Sequence, residues 1–265
     1  MLKFRIFLFI FFLLISAGRA FAFEWKEEKD KHFIVKFTSS SDGEWAREVL
    51  RKAEDYYTVI ARQIGYARYG NFWTWEDRVN IVLYPDQVTY IKETGLPSWS
   101  RGGATTYHRQ LRTRAIVSFI QENAFLDNVL PHEISHLILA DFLGGANIPN
   151  WFNEGVAQLQ ESGKQQEADM FMRKAVRKGT FIPFQQLISS DSVIMQDARY
   201  ATFFYAQSVS MVYFLIQEYG SQEFGELCRQ LRDGNSFETS LLKVYTTLIS
   251  SIGDFEQKWL YSMGN

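Results

Sequence analysis

Two of the chain's four histidines, His132 and His136, stand four positions apart in the segment LPHEISHLIL (residues 130–139), with Glu133 directly after the first. On an α-helix each residue turns the chain by about 100°, so the two imidazoles lie roughly 40° apart on one face, one turn apart. Rings so placed can converge on one metal ion, and zinc takes nitrogen ligands at about 2.0–2.1 Å in tetrahedral array. Glu133 falls roughly 60° round from His136, at the edge of that face, within reach of a water on the metal. A catalytic zinc usually takes a third protein ligand and leaves its fourth position to water. Glu154, in NIPNWFNEGVAQLQE (residues 147–161), offers that ligand inside the next helical pattern, after a loop long enough to turn the chain back. One Zn2+ ion held by His132, His136 and Glu154 would lower the pKa of its bound water to about 7. Glu133 would take the proton as the hydroxide attacks a carbonyl, then deliver it to the departing amine.

The elements that position these residues are legible from periodicity. Alternation at Phe33, Val35 and Phe37 predicts a strand. From Glu44 to Gly65 the apolar positions recur at three and four, which predicts an amphipathic helix packed on that strand. RVNIVLY (78–84) and RAIVSFI (114–120) read as further strands, with a turn-rich segment containing Gly102 and Gly103 between them. Beyond residue 120 the pattern is helical. The motif helix is expected over 127–142, with Pro131 in its first turn and Gly144 and Gly145 as its stop. The next helix is expected from a cap at Asn150 to residue 162. Others are expected over 165–178, 200–219, 222–232, 236–248 and 253–262. The fold class is therefore α+β: a small mixed sheet with the active-site helix in an amino-terminal lobe of about residues 23–143, then an all-helical lobe of about residues 144–265.

HEISH followed by WFNEG resembles the gluzincin branch of zinc metallopeptidases, and the bacterial peptidase MA-like group in particular. The likeness extends to HFIVKF with the long helix after it, to RVNIVLY, SWSRGGA, FYAQSVSMVYFLIQEYG and SFETSLLKVY. It implies a zincin-like fold, zinc on His132, His136 and Glu154, and Glu133 as catalytic acid/base. The spacer before Glu154 is shorter than in the aminopeptidase and thermolysin-like groups, which leaves the substrate cleft open. Gluzincins often supply a tyrosine or histidine to the developing oxyanion. Of Tyr200 and Tyr205 the likeness favours Tyr205, at YAQS; the other reading of Tyr205 is one more aromatic in a buried helix face. Gln158, one turn beyond Glu154, could accept a hydrogen bond from a ligand histidine. RAIVSFI could be a sheet edge onto which a peptide adds as a strand, or an ordinary core strand.

The whole chain sets the context. Lys3 and Arg5, the apolar run Ile6 to Ile15, and the small residues Ala20 and Ala22 have the layout of a signal peptide over residues 1–22. Its apolar core falls short of the roughly 20 residues a bilayer span needs. The reading is export to a periplasmic or extracellular site with no stable membrane span after cleavage; the alternative is an uncleaved amino-terminal anchor. The chain carries 28 basic and 30 acidic residues, and loses Lys3, Arg5 and Arg19 with the leader. That balance argues against nucleic acid as a partner and leaves a peptide or protein substrate. Cys228, the one cysteine, permits no internal disulfide and reads as a buried structural thiol. His32 and His108 lack ligand spacing and read as surface or turn residues. Two functions follow: an exported zinc-dependent metallopeptidase, or a catalytically silent zincin-fold binding module of the cell envelope. Glu133 favours the first, because a purely structural zinc takes four protein ligands and needs no base.

Overall fold

The computed structural model describes residues 24–39, 42–65, 77–98, 101–108, 113–120, 124–189 and 198–264; the expected leader lies outside them. Strands β1 (Lys26–Lys29) and β2 (Phe33–Phe37) pair antiparallel. The alternation in β2 turns Phe33, Val35 and Phe37 into the main core beneath α1 (Gly43–Gln63). That helix carries the chain over to β3 (Val79–Tyr84), which lies parallel to β2; a parallel neighbour needs such a crossover, since the strand must restart from the same end. All six residues of β3 are buried. Ile81 and Leu83 enter the main core and Val82 and Tyr84 a smaller one on the other face, which is why the segment after Asn80, IVLY, reads as an unbroken apolar run.

Helix α2 (Gln87–Thr94) and strands β4 (Gly102–His108) and β5 (Thr113–Phe119) complete a mixed sheet of order β1-β2-β3-β5-β4. β5 runs parallel to β3, and β4 pairs antiparallel with β5. Two expectations need correction. RAIVSFI is β5, an interior strand, so it is not the edge that could accept a peptide. That edge is β4, inside the segment read as turn-rich, where α2 also lies. GGATTYH opens with two glycines and lacks an apolar alternation, so its pairing with β5 rather than its own preference makes it a strand. At the other edge β1 is KEEK, charged as edges that resist further pairing commonly are.

A π-helical turn (Phe125–Val129) leads into α3 (Leu130–Leu143), which carries the motif. Gly144 closes α3 in the left-handed conformation with φ 58°, the backbone state that glycine adopts without a Cβ clash. The helices that follow are α4 (Asn150–Gln158), α5 (Lys164–Arg177), α6 (Phe184–Ile188), α7 (Ala198–Tyr219), α8 (Ser221–Arg232), α9 (Phe237–Val244) and α10 (Ile252–Gly264). Asn150 is the first residue of α4 rather than its cap; Pro149 precedes it with no side-chain cap. α6 was not among the expected helices. One apolar core runs from Phe33 through α1, α3 and α4 to Met263 on α10, so the sheet and the helices after it share an interior. Cys228 is fully buried within it. Among the described residues no helix is long and apolar enough to cross a membrane.

Candidate functional site

α3 is apolar around most of its circumference: Leu130, Ile134, Leu137, Ile138, Leu139, Phe142 and Leu143 are all buried. It packs against α1, β4 and α4, and His132, Glu133 and His136 occupy its remaining half-buried strip. α4 is held just as firmly. Trp151 meets Phe184 and Phe237 edge to face at 5.2 and 5.0 Å, and Phe152 stacks on Phe224 at 5.7 Å. On the other side Gly155 lies against α7 so closely that a Cβ there would come within 2.6 Å of the Ser208 carbonyl oxygen. With Trp151, Phe152, Gly155 and Val156 buried, the strip left to α4 holds Asn153 and Glu154, facing α3.

The expected ligands converge. Nε2 of His132 and Nε2 of His136 are 3.0 Å apart, and Glu154 Oε2 and Oε1 lie 3.9 and 3.6 Å from them respectively. Donors about 2.0–2.1 Å from one tetrahedral ion stand roughly 3.3 Å from each other, so the three side chains fit a single zinc. Their other nitrogens are committed. His132 Nδ1 is 2.8 Å from Glu161 Oε1, and His136 Nδ1 is 3.1 Å from Asn153 Oδ1. A ring whose Nδ1–H donates to an oxygen is held as the tautomer with a lone pair on Nε2. Two such lone pairs facing each other repel unless a proton or a metal cation lies between them, and zinc takes this donor set.

Glu161 and Asn153 were missed as partners, and Gln158 was named instead. Asn153 directly precedes the ligand. Glu161 follows Glu154 by seven residues and lies in the turn beyond α4, and its place is fixed at a distance: Ser162 N–H donates to the Asp127 carbonyl at 2.9 Å. That bond ties the end of the α4 segment to the turn before α3, a contact that spacing alone does not reveal. Gln158 bonds neither histidine.

Burial governs the titration of the bare side chains. It pushes the Glu133 carboxyl up, partly offset by the two imidazoles and by a backbone N–H donated from Ala104 of β4. Burial raises Glu154 as well. In His132 burial opposes the charge, but the Glu161 hydrogen bond with the Glu133 and Glu154 carboxylates outweighs it and the pKa is raised. In His136 burial and the neighbouring His132 leave it lowered.

Glu133, His136 and Glu154 line a cavity of about 530 Å³ that extends along Leu137, Ala140 and Leu143 to the loop at Ala146 and Ile148 and is bounded on the sheet side by Ala104. Tyr205, on α7, does not line it. It borders a different cavity, with Gln158, and its phenol is pushed up by burial and then by the Glu154 carboxylate. Of the remaining histidines, His32 is buried rather than superficial: it pairs with Glu54 through Nδ1 at 2.5 Å and stacks on Tyr57 at 4.0 Å. The side chain of His108 lies outside the described residues.

Residues 97–262, which span β4, α3, α4 and every later helix, match the family described as the peptidase MA superfamily. Among curated proteins none matches the chain.

Proposed function

The chain belongs to the peptidase MA superfamily, and from that membership and the site we propose that it is an exported zinc-dependent metallopeptidase of zincin-like fold. The observation that carries this reading is the convergence of three donors: each Nδ1 lies against its own side-chain oxygen, and both Nε2 atoms face Glu154 across one point. His132, His136 and Glu154 would hold the ion. When bound, zinc supplies Lewis acidity, polarising a carbonyl and making water a nucleophile at neutral pH.

The chain's own residues do the rest. Glu133 takes a proton from the attacking water as oxygen adds to the carbonyl carbon. As the C–N bond breaks, the same carboxyl hands that proton to the amine nitrogen, so one group serves as base and then acid. The backbone N–H of Ala104 orients the Glu133 carboxylate from the sheet. β4 offers an outer edge on which an extended peptide can pair by backbone hydrogen bonds, which supports a peptide or protein substrate. Tyr205, near Glu154, is the proposed neutral donor to the oxyanion. Export rests on the leader-like residues 1–22.

Peptide-library cleavage by the zinc-loaded protein, read by mass spectrometry beside a Glu133→Gln control, is the test. Cleavage confined to the unmutated protein is the expected result. No difference between the two would turn the reading to a silent zincin-fold binding module of the cell envelope.

A further inference from the structure

Gly102, at the start of β4, is a glycine where the backbone does not ask for one. It is not among the glycines held at positive φ, and a glycine inside a strand weakens it and often marks the close approach of another part of the chain. The approach here comes from Val129, the last residue of the π-helical turn before α3: a Cβ at Gly102 would stand 2.4 Å from Val129 Cγ1. Carbon atoms settle at about 3.5–4.0 Å. A β-branched side chain on helical backbone is held to one preferred χ1 rotamer, so Val129 does not readily turn aside. No side chain fits at position 102 while β4 and that turn keep their present spacing.

The same two elements meet again at the candidate site. Ala104, further along β4, donates its backbone N–H to the carboxylate of Glu133, further along the helix from Val129, and both residues line the cavity of about 530 Å³. The two contacts are in register: from 102 to 104 a strand advances about 6.6 Å, and from 129 to 133 a helix advances about 6 Å. The spacing set at Gly102 and Val129 is therefore carried to Ala104 and Glu133.

Burial decides which element gives way to crowding. α3 is packed on most sides, against α1, α4 and the sheet, whereas β4 is an edge strand paired with β5, so β4 moves. Opening the contact from 2.4 Å to about 3.5 Å takes roughly 1 Å. An N–H···O bond of about 2.9 Å lengthened by that much is no longer a hydrogen bond. We propose that Gly102 is a positioning residue for the catalytic base: with no side chain there, β4 lies close enough to the turn before α3 for the Ala104 N–H to hold the Glu133 carboxylate in place for proton transfer. The catalytic part rests on the peptidase reading; the contact from strand to carboxylate does not.

The test uses zinc-loaded protein and two readouts: peptide cleavage, and deuterium exchange at the Ala104 amide followed by NMR. Gly102→Ala should keep its zinc and lower kcat by about 10–100-fold, the scale of a roughly 1 Å misplacement, with KM changed by less than about threefold. Exchange at Ala104 should quicken by about tenfold or more while the amides of β3 are unchanged, a pattern that general loosening of the sheet would not give. Adding Val129→Ala removes Cγ1 and leaves the Val117 carbonyl oxygen, at 3.4 Å, as the atom nearest the new Cβ, so kcat and exchange should both recover. Val129→Ile, which crowds the same contact from the helix side, takes the place of Gly102→Ala if that variant proves misfolded by circular dichroism. The assignment is overturned by a fall confined to KM, by unchanged kcat or unchanged Ala104 exchange in a folded, crowded variant, or by losses that persist once Val129→Ala is added. If the unmutated protein cleaves nothing, the peptidase reading falls; exchange at Ala104 that rises on crowding and recovers with Val129→Ala then still upholds the contact through which Gly102 acts.

Discussion

Gly155→Ala is the sharpest mechanical test of how Glu154 is held. A Cβ at Gly155 would meet the Ser208 carbonyl oxygen at 2.6 Å, Val212 Cγ2 at 2.8 Å and the Ser208 carbonyl carbon at 2.9 Å. Carbon and oxygen ordinarily approach to about 3.3 Å, so α4 and α7 must separate by roughly 0.7 Å. Two of the three contacts are backbone, which no rotamer change relieves. Alanine gains about 1 kcal/mol over glycine inside a helix, while overpacking costs about 1–3 kcal/mol; contact with backbone puts the cost near the upper end. The net is a destabilisation of about 2 kcal/mol, or about 4–8 °C in Tm for a chain of this length. Glu154 is the neighbouring residue, and zinc sites tolerate ligand displacements of only about 0.2 Å, so zinc affinity should fall as well. Calorimetry with and without zinc reads the first effect and competition with a chromophoric chelator the second. Gly253, in α10, serves as control: a Cβ there meets only Ser251 Oγ, at 3.8 Å, and Gly253→Ala should be neutral or stabilising. A Gly155→Ala protein with unchanged Tm and unchanged zinc affinity would refute the argument that close backbone contact between α4 and α7 fixes the third ligand.

Four further outcomes are expected. Glu133→Gln should keep stoichiometric zinc by elemental analysis and lose turnover by about 10²–10⁴-fold, whereas His136→Ala should lose the zinc itself; equal metal content in both would break the division between ligand and base. Glu161→Ala frees His132 Nδ1 and should weaken zinc binding by about 10–100-fold in chelator competition, with Asn153→Ala acting likewise on His136. Stripping the metal should lower Tm by about 5–10 °C relative to protein with zinc at a hundred times its Kd, since that excess is worth about 2.7 kcal/mol; an unchanged transition would mean that no ion binds the native state. Cys228 is fully buried, and burial pushes its thiol up to about 12, so a disulfide reagent at mildly alkaline pH should titrate no thiol in the native protein and one per chain in concentrated guanidinium chloride. Rapid native labelling would contradict the packing around α8.

What could be read from the sequence divides by the range of the interaction. β2, β3, α1 and α3 announce themselves because each buries a face against the main core, and burial imposes a period on the residues that meet it. β4 does not: as an edge strand its pairing is specified by β5, so GGATTYH carries turn signals where the chain is extended. α2 was missed for a different reason. Asp86 caps it by accepting from Thr89 N–H at 2.8 Å, and Gly95 stops it at φ 71°, so both boundary signals were present, but they enclose eight residues of which only Tyr90 is buried. A helix with so little apolar face leaves caps as its sole trace.

The candidate site obeys the same division, with one instructive exception. His132, Glu133 and His136 are set by helix geometry, and Glu154 by the return of a helix after a short loop, so the convergence of the ligands was legible before any coordinates. The acceptors behind the histidines were not equally hidden. Asn153 adjoins the ligand, and a residue next to Glu154 on a helix facing α3 can reach the second histidine, so weighing every polar residue on that strip would have found it. Glu161 could not be found that way, because its position depends on Ser162 bonding to Asp127, residues 35 positions apart. Gly155 falls between the two. A glycine inside a helix costs about 1 kcal/mol unless something needs the missing Cβ, so the glycine of WFNEG, left unread in the sequence, was a place to look for a close approach. Which backbone it touches, and so why Glu154 is held rigidly, required the fold.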